Sequence, residues 1–271
     1  MTDLPASVLI VVPARYASTR YPGKPLVALR GSTGIAKTLI RRSWDSAMAV
    51  VGIDRVVVAT DDDKIANESK SFGAEVVMTS EDCANGTERC SDALDRLAEN
   101  YDIIVNLQGD APLTPNWFVE DLVKALKSNP NANVATPVLR CDADALNGFL
   151  EDRHNGRVGG TTAVFDRAMR ALYFSKEVIP YTNKAYSGDD IVPVFHHVGV
   201  YAYRAKALKE YVGWTSGPLE TLEGLEQLRF MENGEPVLCV EVDGKGRSFW
   251  ELNNPEDVAR IESKLAEMGV E

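Results

Sequence analysis

Residues 8–25 read VLIVVPARYASTRYPGKP, and this stretch decides the fold. Its first five residues form an unbroken apolar run that ends at Pro13, which is typical of a strand buried on both faces. The loop that follows is rich in small residues and bears three cations: Arg15, Arg20 and Lys24. The stretch therefore predicts a buried strand that leads directly into a ligand-binding loop.

Strand patterns alternate with helix patterns after this loop. Helices are expected over 36–48, 63–72 and 87–100, and strands over 54–59, 74–78 and 102–107. This alternation predicts an α/β fold with a mostly parallel twisted sheet and helices on both faces. Ligands bind such sheets at the carboxyl ends of the strands. The loops that follow the predicted strands should therefore converge on one site.

The second half of the chain is richer in short strand patterns. They cover 134–138, 161–165, 171–174, 198–203 and 237–242. A helix is expected over 218–233, and a terminal helix over 255–268 with Asn254 as its cap. We expect a single domain over 1–271, in which residues from about 155 to 220 form a smaller strand-rich sub-lobe.

Composition excludes several classes of protein. The chain has 271 residues, 45% of them hydrophobic, and its 29 Lys and Arg against 40 Asp and Glu give a net charge of -11. This charge argues against a nucleic-acid partner. No apolar run reaches the roughly 18 residues of a membrane span, and the amino terminus lacks the basic flank of a secretory signal. The four cysteines show no CxxC spacing, so we expect free thiols in a cytoplasmic protein.

The cation-bearing loop has two possible interpretations. Clustered cations and accessible backbone amides suit a triphosphate, but an ordinary exposed loop would carry the same residues. The position of the loop favours the first interpretation, because an acidic protein here concentrates positive charge where a parallel sheet binds its ligand.

Two further motifs follow predicted elements. Gly109 and Asp110 come directly after an apolar strand, an arrangement that suits a Mg²⁺ ligand and also suits a turn that caps the next helix. In the motif NGTER, at 85–89, Thr87 is the expected helix cap and Arg89 lies one turn into the helix.

Seven motifs together carry a resemblance to a known family. In chain order they are ARYASTRYPGKPL, VVVATDDDKI, NGTER, VNLQGDAP, ALYFSKEVIPY, HHVGVYAYR and GPLETLEGLEQLR. From about residue 8 to 258 the chain resembles the 3-deoxy-manno-octulosonate (Kdo) cytidylyltransferases, or CMP-Kdo synthetases. The resemblance implies a nucleotide-diphospho-sugar transferase-like fold, a homodimer, and transfer of CMP from CTP to an acidic sugar for lipopolysaccharide biosynthesis, with release of pyrophosphate.

The resemblance also implies roles for individual residues. Catalytic roles fall on Arg20, Lys24 and Asp110. Nucleotide binding falls on Ala14, Arg15, Ser18, Lys24, Thr87, Arg89 and Gln108. The acceptor would contact His197, Tyr201, Glu220 and Glu223. Mg²⁺ is the implied cofactor, with Asp110 and Asn253 as its ligands. We expect catalysis from positioning and electrostatics, without a dedicated general base.

This chain departs from the family pattern at several positions. Asn253 stands where the family has an aspartate before the last helix, so Glu251 or substrate oxygens could complete the metal site instead. Cys83, Thr162 and Thr221 stand where the family has cations or histidine. These departures leave open an acceptor such as the 8-amino analogue of Kdo or a nonulosonate-like acid. The sequence is also compatible with a nucleotide-sugar-dependent glycosyltransferase and with a nucleotide-binding regulator that lacks catalysis.

Overall fold

The computed structural model describes residues 6–17, 21–110, 112–158, 160–188, 190–247, 252 and 254–270. The strands are β1 (Val8–Ala14), β2 (Ala28–Arg30), β3 (Ala36–Thr38), β4 (Arg55–Thr60), β5 (Val76–Met78), β6 (Ile103–Leu107), β7 (Val134–Arg140), β8 (Thr161–Phe165), β9 (Ala171–Ser175), β10 (Phe195–His197), β11 (Val200–Arg204) and β12 (Val237–Val242). The helices are α1 (Leu39–Met48), α2 (Asp63–Ser71), α3 (Gly86–Leu97), α4 (Asn116–Ser128), α5 (Ala143–His154), α6 (Ala205–Tyr211), α7 (Pro218–Glu223), α8 (Leu228–Glu232) and α9 (Asp257–Glu267).

The described strands form one large sheet and one small sheet. The large sheet has ten strands in the order β5-β4-β1-β6-β11-β7-β10-β8-β9, with β12 paired to β7. The pairings make β1, β4 to β8 and β12 run in one direction and β9 to β11 in the other. The expected mostly parallel α/β sheet is therefore confirmed. Strands β2 and β3 pair separately.

Helices cover both faces of the large sheet, as the apolar run of β1 predicts. Alternate residues of β1 enter two different cores. Ile10 and Val12 pack with residues of α1, α2 and α4, whereas Leu9 and Val11 pack with residues of α3, α6 and α8. None of the helices in the described part of the chain is long and apolar enough to cross a membrane.

The strands predicted within 155–220 are present, and they extend the large sheet. Strand β7 pairs with both β10 and β11, which continue to different neighbours, β8 and β6 respectively. The short segment between β10 and β11, at Val198 and Gly199, is therefore where two parts of the sheet diverge.

Several expected elements are wrong in part. The helix expected over 36–48 begins at Leu39, because the preceding three residues form β3. The helix expected over 218–233 divides into α7 and α8, because Gly224 adopts a left-handed conformation (φ 61°) that ends α7. Helix α9 begins at Asp257 with Glu256 as its N-cap, so Asn254 is not its cap. The sequence patterns give no ranges for α4, α5 and α6.

Candidate active site

An open cleft of about 1710 Å³ lies at the carboxyl ends of β1 and β6 and extends along β10 and β11. Nine of the residues singled out from the sequence line it: Ala14, Arg15, Lys24, Arg89, Gln108, Asp110, His197, Tyr201 and Glu220. The loops of the parallel strands and residues of the antiparallel strands β10 and β11 thus share one cavity, as expected for this sheet type.

Lys24 and Asp110 meet in this cleft. Lys24 Nζ donates to Asp110 Oδ2 at 2.7 Å, with the two side chains 11% and 28% exposed. The contact follows from the neighbouring positions of β1 and β6 in the sheet. Gly109 N donates to Pro13 O at 3.3 Å, and a Cβ at Gly109 would lie only 2.7 Å from that oxygen. Only glycine allows the loop after β6 to pack so closely against the end of β1.

The cation-bearing loop folds back toward the sheet before Lys24. Gly23 has a left-handed backbone (φ 69°), and its N–H donates to Tyr16 O at 3.0 Å. A short 3-10 turn from Lys24 to Leu26 then fixes the lysine at the cleft. Arg15 also lines the cleft, where its Nη1 donates to Ala84 O at 3.3 Å.

The NGTER motif begins α3, but Thr87 is not its cap. Asn85 is the N-cap, and its Oδ1 accepts from Glu88 N at 2.9 Å. Thr87 is fully buried, and its hydroxyl lies 2.7 Å from the hydroxyl of Tyr203. Thr87 is absent from the described lining of the cleft. Its predicted contact with the nucleotide therefore finds no support in this geometry.

Arg89 and Gln108 also line the cleft, as does Asn85. Arg89 is only 2% exposed, and its guanidinium donates to Thr79 Oγ1 at 2.6 Å and to Asp61 Oδ2 at 3.3 Å. Gln108 Nε2 donates to Glu226 Oε1 at 2.9 Å. Both side chains are thus held in fixed positions at the cleft wall.

His197 is a buried, uncharged histidine that also lines the cleft. Burial lowers the pKa of His197 to about 3, and neighbouring His196 contributes to the lowering. His197 Nε2 lies 2.9 Å from Thr136 Oγ1, which itself donates to Val200 O at 2.8 Å. The imidazole therefore donates from Nε2 to Thr136 and stays neutral. It is suited to hydrogen bonding, not to neutralising a negative charge.

The two predicted glutamates of α7 are engaged by protein groups. Glu220 lines the cleft and accepts two 2.7 Å hydrogen bonds from Arg229. Glu223 does not appear in the described cleft lining; its carboxylate accepts from Ser175 Oγ at 2.7 Å and Lys176 N at 2.9 Å. Glu223 therefore fixes the end of β9 and the backbone of Lys176, from which the lysine side chain extends.

Among the cleft residues to which the sequence analysis gives no role are Lys176, Glu226 and Gln227. Gln227 Oε1 accepts from the Tyr201 hydroxyl at 2.9 Å. Removal from water raises the pKa of Glu226, which accepts from Thr87 N at 3.0 Å. For Glu226 and Gln227 the sequence does contain a signal, which is Gly224 within the expected helix. A glycine at that position indicates that the helix ends and that a turn follows it.

Some predicted residues cannot be placed in the cleft. Ser18, Arg20, Glu251 and Asn253 lie outside the described residues. Of the other three positions that depart from the family pattern, Thr221 lines the cleft, whereas Thr162 and Cys83 are absent from its described lining. Thr162 is buried, and its hydroxyl donates to Glu177 O at 2.6 Å. All four cysteines are free thiols, as expected.

Comparison with known proteins agrees with this geometry. The family model described as Cytidylyltransferase matches residues 9–237. A 3-deoxy-manno-octulosonate cytidylyltransferase of Maricaulis maris is 45% identical over 97% of this chain and 98% of its own length. This chain belongs to the 3-deoxy-manno-octulosonate cytidylyltransferase family. The expected enzyme class, a nucleotidyltransferase, is confirmed with it.

Other members of the family extend the comparison. The mitochondrial 3-deoxy-manno-octulosonate cytidylyltransferase of Arabidopsis thaliana is 39% identical over 96% of this chain and 83% of its own length. A solved structure of a CMP:2-keto-3-deoxy-manno-octonic acid synthetase complexed with CTP superposes with a TM-score of 0.81, at 30% identity, covering 97% of this chain and all of that one. The expected fold type is confirmed by this superposition.

We predict that His197→Gln makes the protein's stability less sensitive to acid. Unfolded histidine protonates near pH 6.5, so the neutral buried His197 contributes stability above that pH. This stability is lost as the pH falls toward the folded pKa of about 3, by up to about 1.4 kcal/mol per pH unit. Urea unfolding between about pH 7.5 and about pH 4.5 measures the slope.

His154→Gln is the control for this prediction, because His154 is exposed at the end of α5. It should leave the pH dependence of the unfolding free energy unchanged. Equal slopes for the parent protein and His197→Gln would contradict the prediction.

Proposed function

We propose that this protein transfers CMP from CTP to Kdo, or to a closely related acidic sugar, and releases pyrophosphate. The observation that carries the proposal is that one cleft combines the Lys24–Asp110 pair with a second, separate set of polar groups around Tyr201 and Gln227. The names of the relatives and of the CTP-bound structure support the same assignment.

The phosphate end of the cleft is built from β1, its loop and the loop after β6. Lys24 and Arg15 supply positive charge there in a protein with a net charge of -11. In the proposed reaction the anomeric oxygen of the sugar attacks the α-phosphorus. The bond to the bridging oxygen of the β-phosphate breaks, pyrophosphate departs, and the hydroxyl proton passes to solvent. Lys24 would stabilise the negative charge that develops on the phosphate oxygens.

The residues present fit a Mg²⁺ ion. Among the described residues, no three His, Cys, Asp or Glu side chains gather into a metal site. Mg²⁺ typically takes one or two carboxylates, substrate phosphates and water. Asp110 offers such a carboxylate at the phosphate end of the cleft, and Asn253 is the second proposed ligand. Bound there, the ion would offset phosphate charge and lower the pKa of a coordinated hydroxyl.

The acceptor end contains a cation suited to a sugar carboxylate. Lys176 lines the cleft, and no carboxylate in the described part of the chain forms an ion pair with it. Its Nζ lies 3.0 Å from the position that a Cβ of Gly224 would take. We assign Lys176 to the carboxylate of the acceptor, because the neutral His197 cannot neutralise it.

Gln227 and Tyr201 supply hydrogen-bonding groups for sugar hydroxyls. Gln227 is 1% exposed, and its Nε2 has no hydrogen-bond partner among the described residues. A buried amide donor without a partner is costly, so a ligand oxygen at this point would stabilise it. We assign this donor to a hydroxyl or carboxylate oxygen of the acceptor, alongside His197 and Tyr201.

We further propose that the protein acts as a cytoplasmic homodimer. Large apolar side chains are exposed on β9 and α7: Leu172 is 61% exposed and Leu222 is 82% exposed. Leu172 lies within the predicted sub-lobe of residues 155–220, and Leu222 lies just beyond it. We assign dimerisation as well as acceptor binding to this sub-lobe. Sedimentation velocity of the purified protein distinguishes a dimer from a monomer.

A matrix of nucleoside triphosphates and acidic acceptors tests the function directly. We predict pyrophosphate release with CTP and Kdo in the presence of Mg²⁺, and the panel should include the 8-amino analogue and a nonulosonate. Faster turnover of one of these acceptors than of Kdo would identify that acceptor as the substrate. Consumption of a preformed nucleotide sugar without pyrophosphate release would indicate a glycosyltransferase. CTP binding without turnover would indicate a regulator.

We predict that Asp110→Asn lowers kcat/KM by at least about tenfold, equivalent to roughly 1.4 kcal/mol of transition-state stabilisation. The substitution removes the negative charge beside Lys24 and replaces the proposed carboxylate ligand with a neutral amide oxygen, so the Mg²⁺ concentration for half-maximal rate should rise. Pyrophosphate release across a Mg²⁺ titration, including metal removal by a chelator, measures both effects.

Asp45→Asn is the matched control, because Asp45 also accepts from a lysine, Lys37, at 2.7 Å but lies outside the cleft. Its rate and Mg²⁺ dependence should match those of the parent protein. A kcat/KM for Asp110→Asn within tenfold of the parent value would remove Asp110 from the proposed role.

We predict that Lys176→Met raises the KM for the acidic acceptor by about tenfold and leaves the KM for CTP within about twofold, because a lost charge-assisted contact costs about 1.5–3 kcal/mol. Steady-state kinetics with each substrate varied in turn measure the two constants. Lys184→Met changes a lysine outside the described cleft lining and serves as the control. An equal rise in both KM values would contradict the assignment of Lys176 to the acceptor.

A further inference from the structure

Arg229 is a buried arginine of α8 that joins the two ends of the cleft. It is 4% exposed. Its Nη1 donates to Glu88 Oε1 of α3 at 2.9 Å, while Nε and Nη2 donate to the two carboxylate oxygens of Glu220 at 2.7 Å. Nη2 also donates to Ser216 Oγ at 2.9 Å, and the guanidinium stacks 4.2 Å from the ring centre of Tyr211.

All five N–H donors of Arg229 have acceptors within the protein. Besides the contacts to Glu88, Glu220 and Ser216, Nη1 lies 3.5 Å from Trp214 O. A guanidinium has five donors and no acceptor. Although Arg229 lines the cleft, it therefore retains no donor for a substrate, and any effect on binding must pass through its partners.

One path leads from Arg229 to the cation-bearing loop. The second carboxylate oxygen of Glu88 accepts from Ala84 N at 2.7 Å, and Ala84 O accepts from Arg15 Nη1 at 3.3 Å. Arg15, Ala84 and Arg229 all line the cleft. The position of the Arg15 guanidinium thus depends on a backbone segment that Arg229 holds through Glu88.

A second path closes the network at the cap of α3. The Tyr211 hydroxyl lies 3.4 Å from Glu220 Oε1, accepts from Asn85 Nδ2 at 3.0 Å and lies 3.2 Å from Glu226 O. Asn85 is the residue that caps α3. The segment from Ala84 to Glu88 is therefore held at both of its ends by groups that contact Arg229.

The negative charges of Glu88 and Glu220 make the position of α3 relative to α7 depend on the Arg229 guanidinium. Glu88 and Glu220 are 20% and 10% exposed and both face Arg229. Without it, two carboxylates with little access to water would face each other uncompensated, and repulsion would separate α3 from α7.

We propose that Arg229 is a positioning residue for the nucleotide: it fixes the Ala84–Glu88 segment and, through that segment, the guanidinium of Arg15. This inference rests on the proposed function, because it assigns the Arg15 end of the cleft to CTP. It places a determinant of CTP affinity on α8, beside the residues assigned to the acceptor.

A double-mutant cycle between Arg229 and Arg15 tests the inference, with CTP binding to the full-length protein measured by calorimetry in the absence of acceptor. We predict that Arg229→Gln weakens CTP binding about tenfold in the parent protein but less than about threefold in an Arg15→Ala background, because the two residues act in one chain of contacts. With Arg229→Gln, the KM for CTP should rise by more than the KM for the acceptor, whose implied contact Glu220 also loses its arginine partner.

Two further variants keep the test decisive. Glu88→Ala breaks the same path without removing the buried arginine, so it should reproduce the loss of CTP affinity and its dependence on Arg15, even if Arg229→Gln does not fold. Arg204→Gln is the structural control: Arg204 donates to Leu126 O and Ala132 O, outside the described cleft lining, so its change should lower thermal stability without altering CTP affinity.

The outcomes separate the inference from the proposed function. A parent protein that binds no CTP would contradict the proposed function. A parent protein that binds CTP, with equal weakening by Arg229→Gln or Glu88→Ala in both backgrounds or with no weakening at all, would overturn the role of Arg229.

Discussion

The close packing of two parallel strands, β1 and β6, is the constraint on which the rest of the site depends. Because these strands are neighbours, Gly109 comes within hydrogen-bond distance of Pro13 O, and Lys24 and Asp110 form a 2.7 Å ion pair. A side chain at position 109 would separate the two loops. Leu252 N also donates to Asp110 O at 3.1 Å, so Leu252 is attached to the same point.

The two parts of the sheet contribute to the proposed binding sites of two different substrates. The parallel part ends in the cationic loop and the Asp110 turn, whereas β8 to β11 place Lys176, His197 and Tyr201 around the other end of the cleft. Strand β11 joins the parts because it pairs with β6. Its tyrosines at 201 and 203 are two residues apart and stack with ring centres 5.9 Å from each other. Tyr201 contacts Gln227 at the acceptor end, while Tyr203 contacts Thr87 beneath the start of α3.

The sequence predicts the parallel part of the fold well, and much of the site that depends on it. A polar loop that follows an unbroken apolar strand lies at the carboxyl ends of the parallel strands, so Arg15, Lys24, Gln108 and Asp110 can be placed together from the sequence. Their contact needs no information beyond which strands are neighbours. The motif resemblance added His197, Tyr201 and Glu220, all of which line the cleft.

Residues whose positions depend on contacts between distant segments could not be predicted in the same way. Thr87 matches a helix-cap pattern, yet Asn85 caps the helix, and Thr87 is buried by Tyr203, a residue more than a hundred positions later. Glu226 and Gln227 fit a helical pattern until Gly224 interrupts it, and only the turn that results directs them to the cleft. The same interruption separates Glu220 on α7 from Arg229 on α8 and lets them face each other across the turn. A continuous helix over 218–233 would have held Glu220 and Arg229 along one straight axis, with no turn through which to reach α3. The break at Gly224 therefore connects the acceptor end of the cleft to the nucleotide end.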